Sequence, residues 1–240
     1  MLQVSRKFGD FPALEDINFK VRAGERVALV GPSGAGKSTL IRLLNGTLFA
    51  TSGEVRVLGQ SLDKLSARAL RKVQSRIGTI YQQFNLVDNL RVVHNINAGH
   101  LAHWSFSRSL VSLIRPVEIQ TAFNALEQVG IPEKLYERTD RLSGGQQQRV
   151  AIARVLVQNP EAILADEPIS NLDPELSREI MDLLLDLSHR SGKTLFSSLH
   201  AIEFAQSHYE RIIGLRRGQI LFGSTTDLVS ETMINSLYQS

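Results

Sequence analysis

Residues 26–38 read Arg-Val-Ala-Leu-Val-Gly-Pro-Ser-Gly-Ala-Gly-Lys-Ser, a short apolar run followed at once by a glycine-rich loop. Two glycines, Gly31 and Gly36, stand five positions apart, and Lys37 and Ser38 follow the second. Glycines leave room for backbone N–H groups to surround phosphate oxygens, and a helix that begins behind the loop favours negative charge. The stretch therefore predicts a buried strand, a phosphate-binding loop and a helix, the start of a nucleotide-binding α/β core.

Two other apolar runs end in polar residues in the same way. Residues 162–165 lead into Asp166 and Glu167, and residues 194–199 lead into His200. Such runs are typical of strands buried in a parallel sheet, where functional groups follow the carboxyl ends. A strand that delivers two acids matches the Walker B pattern, in which Asp166 would hold Mg²⁺ and Glu167 would polarise the attacking water. The alternative is a strand that merely ends in an acidic turn.

A second anion-binding pattern lies at residues 142–149, Leu-Ser-Gly-Gly-Gln-Gln-Gln-Arg. Ser143 suits the N-cap of a helix that continues over residues 146–157. Gly144 and Gly145 would let backbone N–H groups approach an oxyanion closely. The alternative interpretation is a helix cap without a ligand.

Other periodic stretches complete the predicted architecture. Alternation over residues 17–21 and 53–58 predicts half-exposed antiparallel strands, and residues 212–222 predict a hairpin. From about residue 85 to residue 159 the pattern becomes helical. We expect a single domain over residues 1–240, with a catalytic α/β core and an inserted helical subdomain. The core would comprise residues 1–84 and 160–240, and the helical subdomain residues 85–159.

Composition excludes several classes of protein. The 240 residues are 42% hydrophobic, which is enough for a sizeable core, and include no cysteine, so neither disulfides nor thiolate metal sites can form. No stretch approaches the roughly 18 apolar residues of a membrane span. The first residues lack the apolar run of a signal peptide, so we expect a soluble, cytoplasmic protein. The net charge of +3 predicts an ordinary, slightly basic surface, with proximity to anionic lipid as the alternative.

Together these motifs resemble the ATP-binding cassette family, the ATPase subunits that power membrane transporters, over about residues 8–223. The resemblance implies a P-loop NTPase core with a mostly parallel sheet, an N-terminal antiparallel β subdomain and an inserted α-helical subdomain. It implies ATP and Mg²⁺ as ligands. It also implies a head-to-tail homodimer on ATP binding, in which the motif at residues 142–146 faces the γ-phosphate bound by the partner's glycine loop.

The resemblance assigns roles residue by residue. Gln82 would sense Mg²⁺ and water and link the core to the helical subdomain, Asp173 would lie in a loop crossing the dimer interface, and His200 would contact the γ-phosphate. Phe8 would stack on adenine where the family more often has Tyr, and Asn171 stands where the family usually has Ala. The implied catalytic residues are Glu167, His200 and Gln82, and the implied Mg²⁺ ligands are Ser38, Gln82 and Asp166. The implied ATP-binding residues are Phe8, Gly31, Pro32, Ser33, Gly34, Ala35, Gly36, Lys37, Ser38 and Thr39, and the motif that meets the partner's ATP comprises Leu142, Ser143, Gly144, Gly145 and Gln146.

Several details are similar to the phosphonate importer subfamily, and phosphite importers resemble it closely. They are the runs at residues 81–87 and 165–169, the absence of an acid after His200, and the Leu237-Tyr238 pair. This resemblance implies an ATPase peripheral to the cytoplasmic face of the plasma membrane, working with integral permease subunits and, indirectly, a periplasmic or extracellular substrate-binding protein. No nucleic-acid partner is implied. The alternatives are an ATPase for lipoprotein release or peptide export, or a non-transport cassette ATPase of translation or DNA repair.

One part of the helical stretch departs from the family average, at residues 98–116. His100 and His103 have a spacing seen in metal sites, but the lack of cysteine and the variable surroundings argue against a metal. A groove between this segment and the Gln82 loop is the expected docking place for a cytoplasmic helix of the permease. Trp104 would anchor that helix, and the equally weighted alternative is that Trp104 packs inside the subdomain.

Overall fold

The computed structural model of the chain describes residues 1–170 and 172–238. Its strands form three sheets, with the order β2-β1-β4 in the first, β11-β10-β3-β9-β8-β7 in the second and β5-β6 in the third. The strands are β1 (Leu2–Phe8), β2 (Phe11–Ile17), β3 (Arg26–Val30), β4 (Ser52–Glu54), β5 (Arg56–Val57), β6 (Gln60–Ser61), β7 (Ile77–Ile80), β8 (Ala162–Asp166), β9 (Thr194–Leu199), β10 (Arg211–Arg216) and β11 (Gln219–Thr225).

Four of the α-helices lie between β7 and β8 in the chain. The α-helices are α1 (Lys37–Leu44), α2 (Ala67–Gln74), α3 (Val92–Asn97), α4 (Phe106–Ile114), α5 (Ile119–Gln128), α6 (Gly144–Gln158), α7 (Pro174–Ser191), α8 (Ile202–His208) and α9 (Glu231–Tyr238). Short 3₁₀ turns occur at Leu62–Lys64, Ala98–His100, Pro132–Lys134, Thr139–Arg141 and Thr226–Leu228. Within the described ranges, none of these helices has the length and apolar character that crossing a bilayer requires.

The six-stranded sheet brings the predicted polar strand ends together. Strands β10, β3, β9, β8 and β7 run parallel, and only β11 at the edge is antiparallel. Val30 lies opposite Leu199, and Asp166 lies opposite Ser198, so the glycine loop, the acidic pair and His200 all follow the same edge of the sheet. The prediction of buried parallel strands is therefore confirmed, as is the α/β fold class.

Alternate residues of the parallel strands pack into two cores on opposite faces of the sheet. Ala28 and Val30 face the core formed with α3, α5, α6 and α7. Val27 and Leu29 face the core formed with α1 and the antiparallel sheet. Burial on both faces explains why β3 reads as a continuous apolar run rather than an alternating one. The expected helical face of Ala122, Ala125, Leu126 and Val129 is also buried and belongs to the first core.

The prediction of a strand over residues 17–21 is wrong. The strand β2 ends at Ile17, and in the loop of residues 18–20 only Phe19 continues the pairing, through two backbone hydrogen bonds with Met1. The alternation there has another cause, because the loop passes over the core and the Phe19 ring stacks on Phe196 with centroids 5.8 Å apart. The predicted strand over residues 53–58 is broken into β4 and β5, whereas the predicted hairpin forms from β10 and β11.

Candidate active site

The glycine loop connects β3 to α1 and carries a buried lysine. Lys37 is 4% exposed, and its ammonium group donates hydrogen bonds to the carbonyls of Gly31, at 2.8 Å, and Pro32, at 3.2 Å. Burial lowers the pKa of Lys37, and the carboxylates of Glu167 and Asp166 partly offset that effect. A desolvated ammonium group held by weak carbonyl partners is well suited to receive a phosphate oxygen, which is a much stronger acceptor.

Gly36 shapes the loop at the N-cap of α1. Its φ of +106° lies in a region that side chains rarely adopt, and an added Cβ would come within 2.8 Å of the Ala13 carbonyl oxygen and a Leu14 methyl. The antiparallel sheet therefore approaches the loop too closely for any side chain at this position.

We expect Gly36→Ala to lower the free energy of unfolding by about 2–4 kcal/mol, through backbone strain and overlap together. Gly192→Ala provides the matched control, because Gly192 has a φ of +62° but no heavy atom lies within 4 Å of its added Cβ. Strain alone should cost the control about 1 kcal/mol. Denaturant unfolding of both variants measures the difference, and equal losses would contradict the close approach of Ala13 and Leu14.

The acidic pair ends β8 beside two hydroxyl groups. Asp166 accepts hydrogen bonds from Ser38 Oγ, at 3.1 Å, and from Ser198 Oγ, at 2.8 Å. Ser198 Oγ also accepts from the backbone N–H of Glu167, at 2.9 Å. Ser198 thus fixes both acids, a role the sequence analysis missed. Its position two residues before His200, on the strand beside β8, is the signal that could have found it.

Glu167 is held between two groups from neighbouring strand ends. Its Oε1 lies 2.6 Å from His200 Nε2 and 3.7 Å from Lys37 Nζ, and its side chain is 13% exposed. Its φ of +50° is left-handed, a conformation that costs a non-glycine residue of order 1–3 kcal/mol. In this conformation the carboxylate lies beside Lys37 of the glycine loop. The predicted residues Lys37, Ser38, Asp166, Glu167 and His200 therefore meet in one site.

Gln82 and Phe8 lie at the margins of this site. Gln82 is exposed in the turn after β7, and because Ile80 lies opposite Ala165, it follows β7 at the level where Glu167 follows β8. Phe8 ends β1 with 46% of its surface exposed, and the Arg6 guanidinium lies 4.6 Å from its ring centroid. Neither side chain has a hydrogen bond or ion pair to residues 31–39 among the described residues.

The second glycine motif forms a capping box at the start of α6. Ser143 Oγ accepts from the backbone N–H of Gln146, at 3.3 Å, and the Gln146 side chain accepts from the Ser143 N–H, at 3.0 Å. Ser143 and Gly144 are exposed, whereas a Cβ on the buried Gly145 would overlap Leu176. The predicted N-cap is confirmed. No hydrogen bond in the described part of the chain joins this motif to the glycine loop of the same subunit.

Asp173 caps a neighbouring helix. Its carboxylate accepts from the backbone N–H of Leu176, at 3.0 Å, at the N-terminus of α7, and its side chain is exposed. The mutual contact of Gly145 and Leu176 places this helix start next to the start of α6. Asn171 lies outside the described residues.

A half-buried arginine, which the sequence analysis missed, links α6 to the Gln82 turn. Arg154 donates to the carbonyls of Phe84, at 2.8 Å, and Asn85, at 2.6 Å. Both acceptors have left-handed backbones, and burial lowers the pKa of Arg154. An arginine inside an otherwise apolar stretch of α6 was the available signal, because a buried charge needs dedicated partners.

The C-terminal helix reaches the other side of the site. Tyr238 donates from its hydroxyl to the His200 carbonyl, at 3.1 Å, while Leu237 is fully buried beside it. The closing Leu-Tyr pair therefore anchors α9 against the loop that carries His200.

Trp104 is half-buried at the margin of the helical subdomain. Its ring stacks on His100 with centroids 5.0 Å apart, and the Arg108 guanidinium lies 5.1 Å from its centroid. Burial lowers the pKa of His100. No cluster of three histidine, cysteine or acidic side chains suited to a metal occurs within residues 1–170 and 172–238. One face of Trp104 is thus taken up by a neighbour inside the subdomain.

Comparison with known proteins places this site in a family. The family model described as "ABC transporter" matches residues 14–170. The phosphonates import ATP-binding protein PhnC 1 of Nostoc sp. is 44% identical over 238 residues, covering 98% of this chain and 89% of that protein. The corresponding protein PhnC of Thiobacillus denitrificans is 43% identical over 237 residues, covering 98% of this chain and 90% of that protein.

Solved structures are similar over nearly the whole fold. The ATP-binding cassette MJ0796, in a dimeric post-hydrolysis state bound to ADP and Pi, superposes with a TM-score of 0.79 at 32% identity and covers 94% of this chain and 97% of that one. The protein cbiO1 of Clostridium perfringens gives a TM-score of 0.82 at 27% identity, covering 98% of this chain and 91% of that one. The glycine loop, the acidic pair and the 142–149 motif all lie on this shared fold, and the chain belongs to the ABC transporter ATP-binding family.

Proposed function

We propose that this chain is the ATP-hydrolysing subunit of a bacterial ABC importer for phosphonate. The observation that carries the hydrolysis is the position of Glu167, whose carboxylate lies between the ammonium group of Lys37 and the imidazole of His200. The cargo is supported by two relatives named as phosphonates import proteins that are 43% and 44% identical over 98% of this chain. Phosphite, a related phosphorus oxyanion, is the second candidate, because the quoted sequence details resemble both importers.

In this proposal the glycine loop holds the phosphates of ATP. Backbone N–H groups of residues 31–39 surround the β- and γ-phosphates, and Lys37 exchanges its carbonyl partners for phosphate oxygens. Phe8 presents an exposed ring at the end of β1 for stacking on adenine. Glu167 accepts a proton from the attacking water, and His200 contacts the γ-phosphate while its imidazole holds the Glu167 carboxylate.

The side chains beside the glycine loop suit Mg²⁺. Ser38 and Asp166, already within 3.1 Å of each other, offer a hydroxyl and a carboxylate, and Gln82 offers an amide oxygen. Mg²⁺ prefers such hard oxygen ligands and takes its remaining positions from substrate phosphates and water. Bound Mg²⁺ would neutralise the charge that develops on the transferred phosphoryl group.

We further propose a head-to-tail homodimer in which each 142–146 motif meets the partner's ATP. The exposure of Ser143 and Gly144 supports this arrangement, as does the dimeric state of the similar cassette MJ0796. Asp173, exposed at the start of α7, would lie at the same interface. The core would comprise residues 1–84 and 160–240, and the helical subdomain, residues 85–159, would pass dimer closure to integral permease subunits at the cytoplasmic face of the plasma membrane. An extracytoplasmic binding protein would deliver the cargo to them.

Trp104→Ala tests the docking of the permease. If Trp104 anchors a permease helix, we expect the purified variant to keep its melting temperature and basal ATPase activity while transport in reconstituted vesicles falls, because aromatic anchors carry much of the energy of such contacts. The stacking on His100 supports the opposing interpretation of a packed side chain. A melting temperature lower by several degrees would show that Trp104 packs inside the subdomain, and would contradict its role as an anchor for the permease.

A transport experiment tests the proposed cargo. A bacterial strain that lacks the gene is supplied with 2-aminoethylphosphonate, phosphite or phosphate as its only phosphorus source. We expect the intact gene to restore growth and uptake on the phosphonate, and Glu167→Gln to restore neither. If the gene restores growth on phosphite but not on the phosphonate, phosphite replaces phosphonate as the proposed cargo. If it restores growth on neither compound, the proposed cargo is wrong. ATP hydrolysis by the purified chain is measured separately and does not depend on this result.

A further inference from the structure

A cavity of about 910 Å³ lies at the end of the six-stranded sheet opposite the candidate active site. Its floor is formed where β7, β8 and β9 begin, and residues 19–24, the start of β1 and the β5-β6 ribbon form its walls. The polar strand ends of the active site follow the carboxyl ends of these same strands. The cavity therefore shares no residue with the nucleotide site.

The interior of this cavity is apolar and preformed. Phe19, Val21 and Leu58 line its walls and are half-buried, while Leu164 and Phe196 on its floor belong to the buried core. The stacking of Phe19 on Phe196 fixes one wall against the floor. A volume near the upper end of the range of about 300–1,000 Å³ for small-molecule sites, with mostly apolar walls, is typical of a pocket that encloses an apolar ligand.

The charged side chains that line the cavity are mostly basic. They include Lys20, Arg22 and Lys193, for which no ion pair within 4.0 Å is found in the described part of the chain. Lys193 donates to the neutral Asn159 side chain at 2.7 Å, and burial lowers its pKa. A cation held in a partly desolvated place without a counter-charge is stabilised when an anion arrives.

Two other charged side chains of the lining are already paired. Arg56 lies 2.9 Å from Glu54, and Glu161, the one acidic residue of the lining, lies 2.5 Å from Arg76. The lining consequently keeps an excess of positive charge around an apolar interior. Its complement is a molecule with one anionic end and an apolar body.

We propose that this cavity binds a monomeric amphipathic anion, such as a medium- or long-chain carboxylate. The alkyl chain lies along the Phe19 wall and the floor of the sheet, and the carboxylate lies at the mouth against Lys20, Arg22 and Lys193. A free molecule fits better than a bilayer surface, because the apolar side chains line a concavity instead of projecting from the surface.

Dodecanoate, at concentrations below micelle formation, is the probe for the full-length chain. We expect saturable one-to-one binding by titration calorimetry, weaker binding of the uncharged dodecanol, and no binding of dodecyltrimethylammonium. Added salt should weaken the binding of dodecanoate but not of dodecanol, because only the first contact is ionic. Equal binding of all three compounds, or no binding of dodecanoate, would overturn the proposal.

Two variants locate the binding. Lys20→Glu with Arg22→Glu should weaken dodecanoate binding at least about tenfold, whereas Arg115→Glu with Arg178→Glu, exposed arginines outside the cavity, should leave it unchanged. Val57→Trp should fill the cavity and abolish binding, and Val111→Trp on the exposed side of α4 is its control. If the charge reversals lower the melting temperature, the comparison of Val57→Trp with Val111→Trp tests the location of the site instead.

A membrane contact is the competing explanation. Sedimentation with phosphatidylglycerol vesicles, combined with failure to bind monomeric dodecanoate, would overturn the proposal in favour of a lipid surface. If the Val57→Trp variant still binds dodecanoate, the binding site lies elsewhere and the proposal for this cavity is overturned.

Discussion

Glu167→Gln should bind ATP as the wild type does but hydrolyse it about 10²–10⁴-fold more slowly, the usual worth of a general base. The amide has nearly the same shape as the carboxylate but cannot accept a proton from water. In the proposed dimer, ATP would hold the two subunits together until it is hydrolysed, so the variant should accumulate as an ATP-bound dimer. Size-exclusion chromatography with ATP, together with phosphate release in single-turnover conditions, measures both effects.

The contact of Glu167 with His200 supplies a control for this result. His200→Ala removes an imidazole that lies 2.6 Å from the Glu167 carboxylate but leaves the carboxylate in place. We expect phosphate release from this variant to be slower than in the wild type but faster than in Glu167→Gln, because the carboxylate that accepts the proton from water remains. Wild-type turnover in Glu167→Gln would remove this residue from the mechanism.

Ser143→Arg should abolish hydrolysis while leaving the ATP affinity of the monomer almost unchanged. Ser143 is exposed at the N-terminus of α6 and has no bond to its own glycine loop, so the nucleotide site of the same subunit remains intact. In the proposed dimer, a bulky side chain there would occupy the place of the partner's γ-phosphate. Equilibrium binding of a fluorescent ATP analogue and steady-state ATPase assays separate the two effects.

Mixing two inactive variants tests which subunit supplies each half of the site. Lys37→Ala damages the glycine loop, and Ser143→Arg damages the other motif. In a head-to-tail dimer of the two variants, one site carries both lesions and the other carries neither. Recovery of activity on mixing therefore supports the shared site, and an enzyme that hydrolyses ATP as a strict monomer would refute it. A mixture of Lys37→Ala with Glu167→Gln, which damage the same half, should stay inactive.

The sequence predicted the parts of the fold that depend on local patterns. Strands buried on both faces must be apolar throughout, so β3, β8 and β9 were visible as short runs, and Ser143 was visible as a helix cap. The loop at residues 18–20 could not be recognised from the sequence, because its alternation comes from the contact of Phe19 with Phe196 on a distant strand. Periodicity cannot distinguish a paired strand from an extended loop that packs on the core.

The missed site residues have a similar explanation. Ser198 matters because register places it opposite Asp166, and Arg154 matters because a helix passes a turn that lies about 70 positions earlier in the chain. Both roles depend on tertiary neighbours rather than on spacing along the chain. Tyr238 belongs to the same group, since its hydroxyl meets the His200 carbonyl only after the last helix has packed.

Helix α6 joins two elements of the candidate site. It begins at the capping box of Ser143 and, eleven residues later, grips the carbonyls beyond Gln82 through Arg154. At 1.5 Å per residue these points are about 16 Å apart along the helix axis. In the proposed dimer, the first of these points would meet the partner's ATP, so one continuous helix would couple that ATP to the Gln82 turn of its own subunit. The two halves of the dimer would then act in concert.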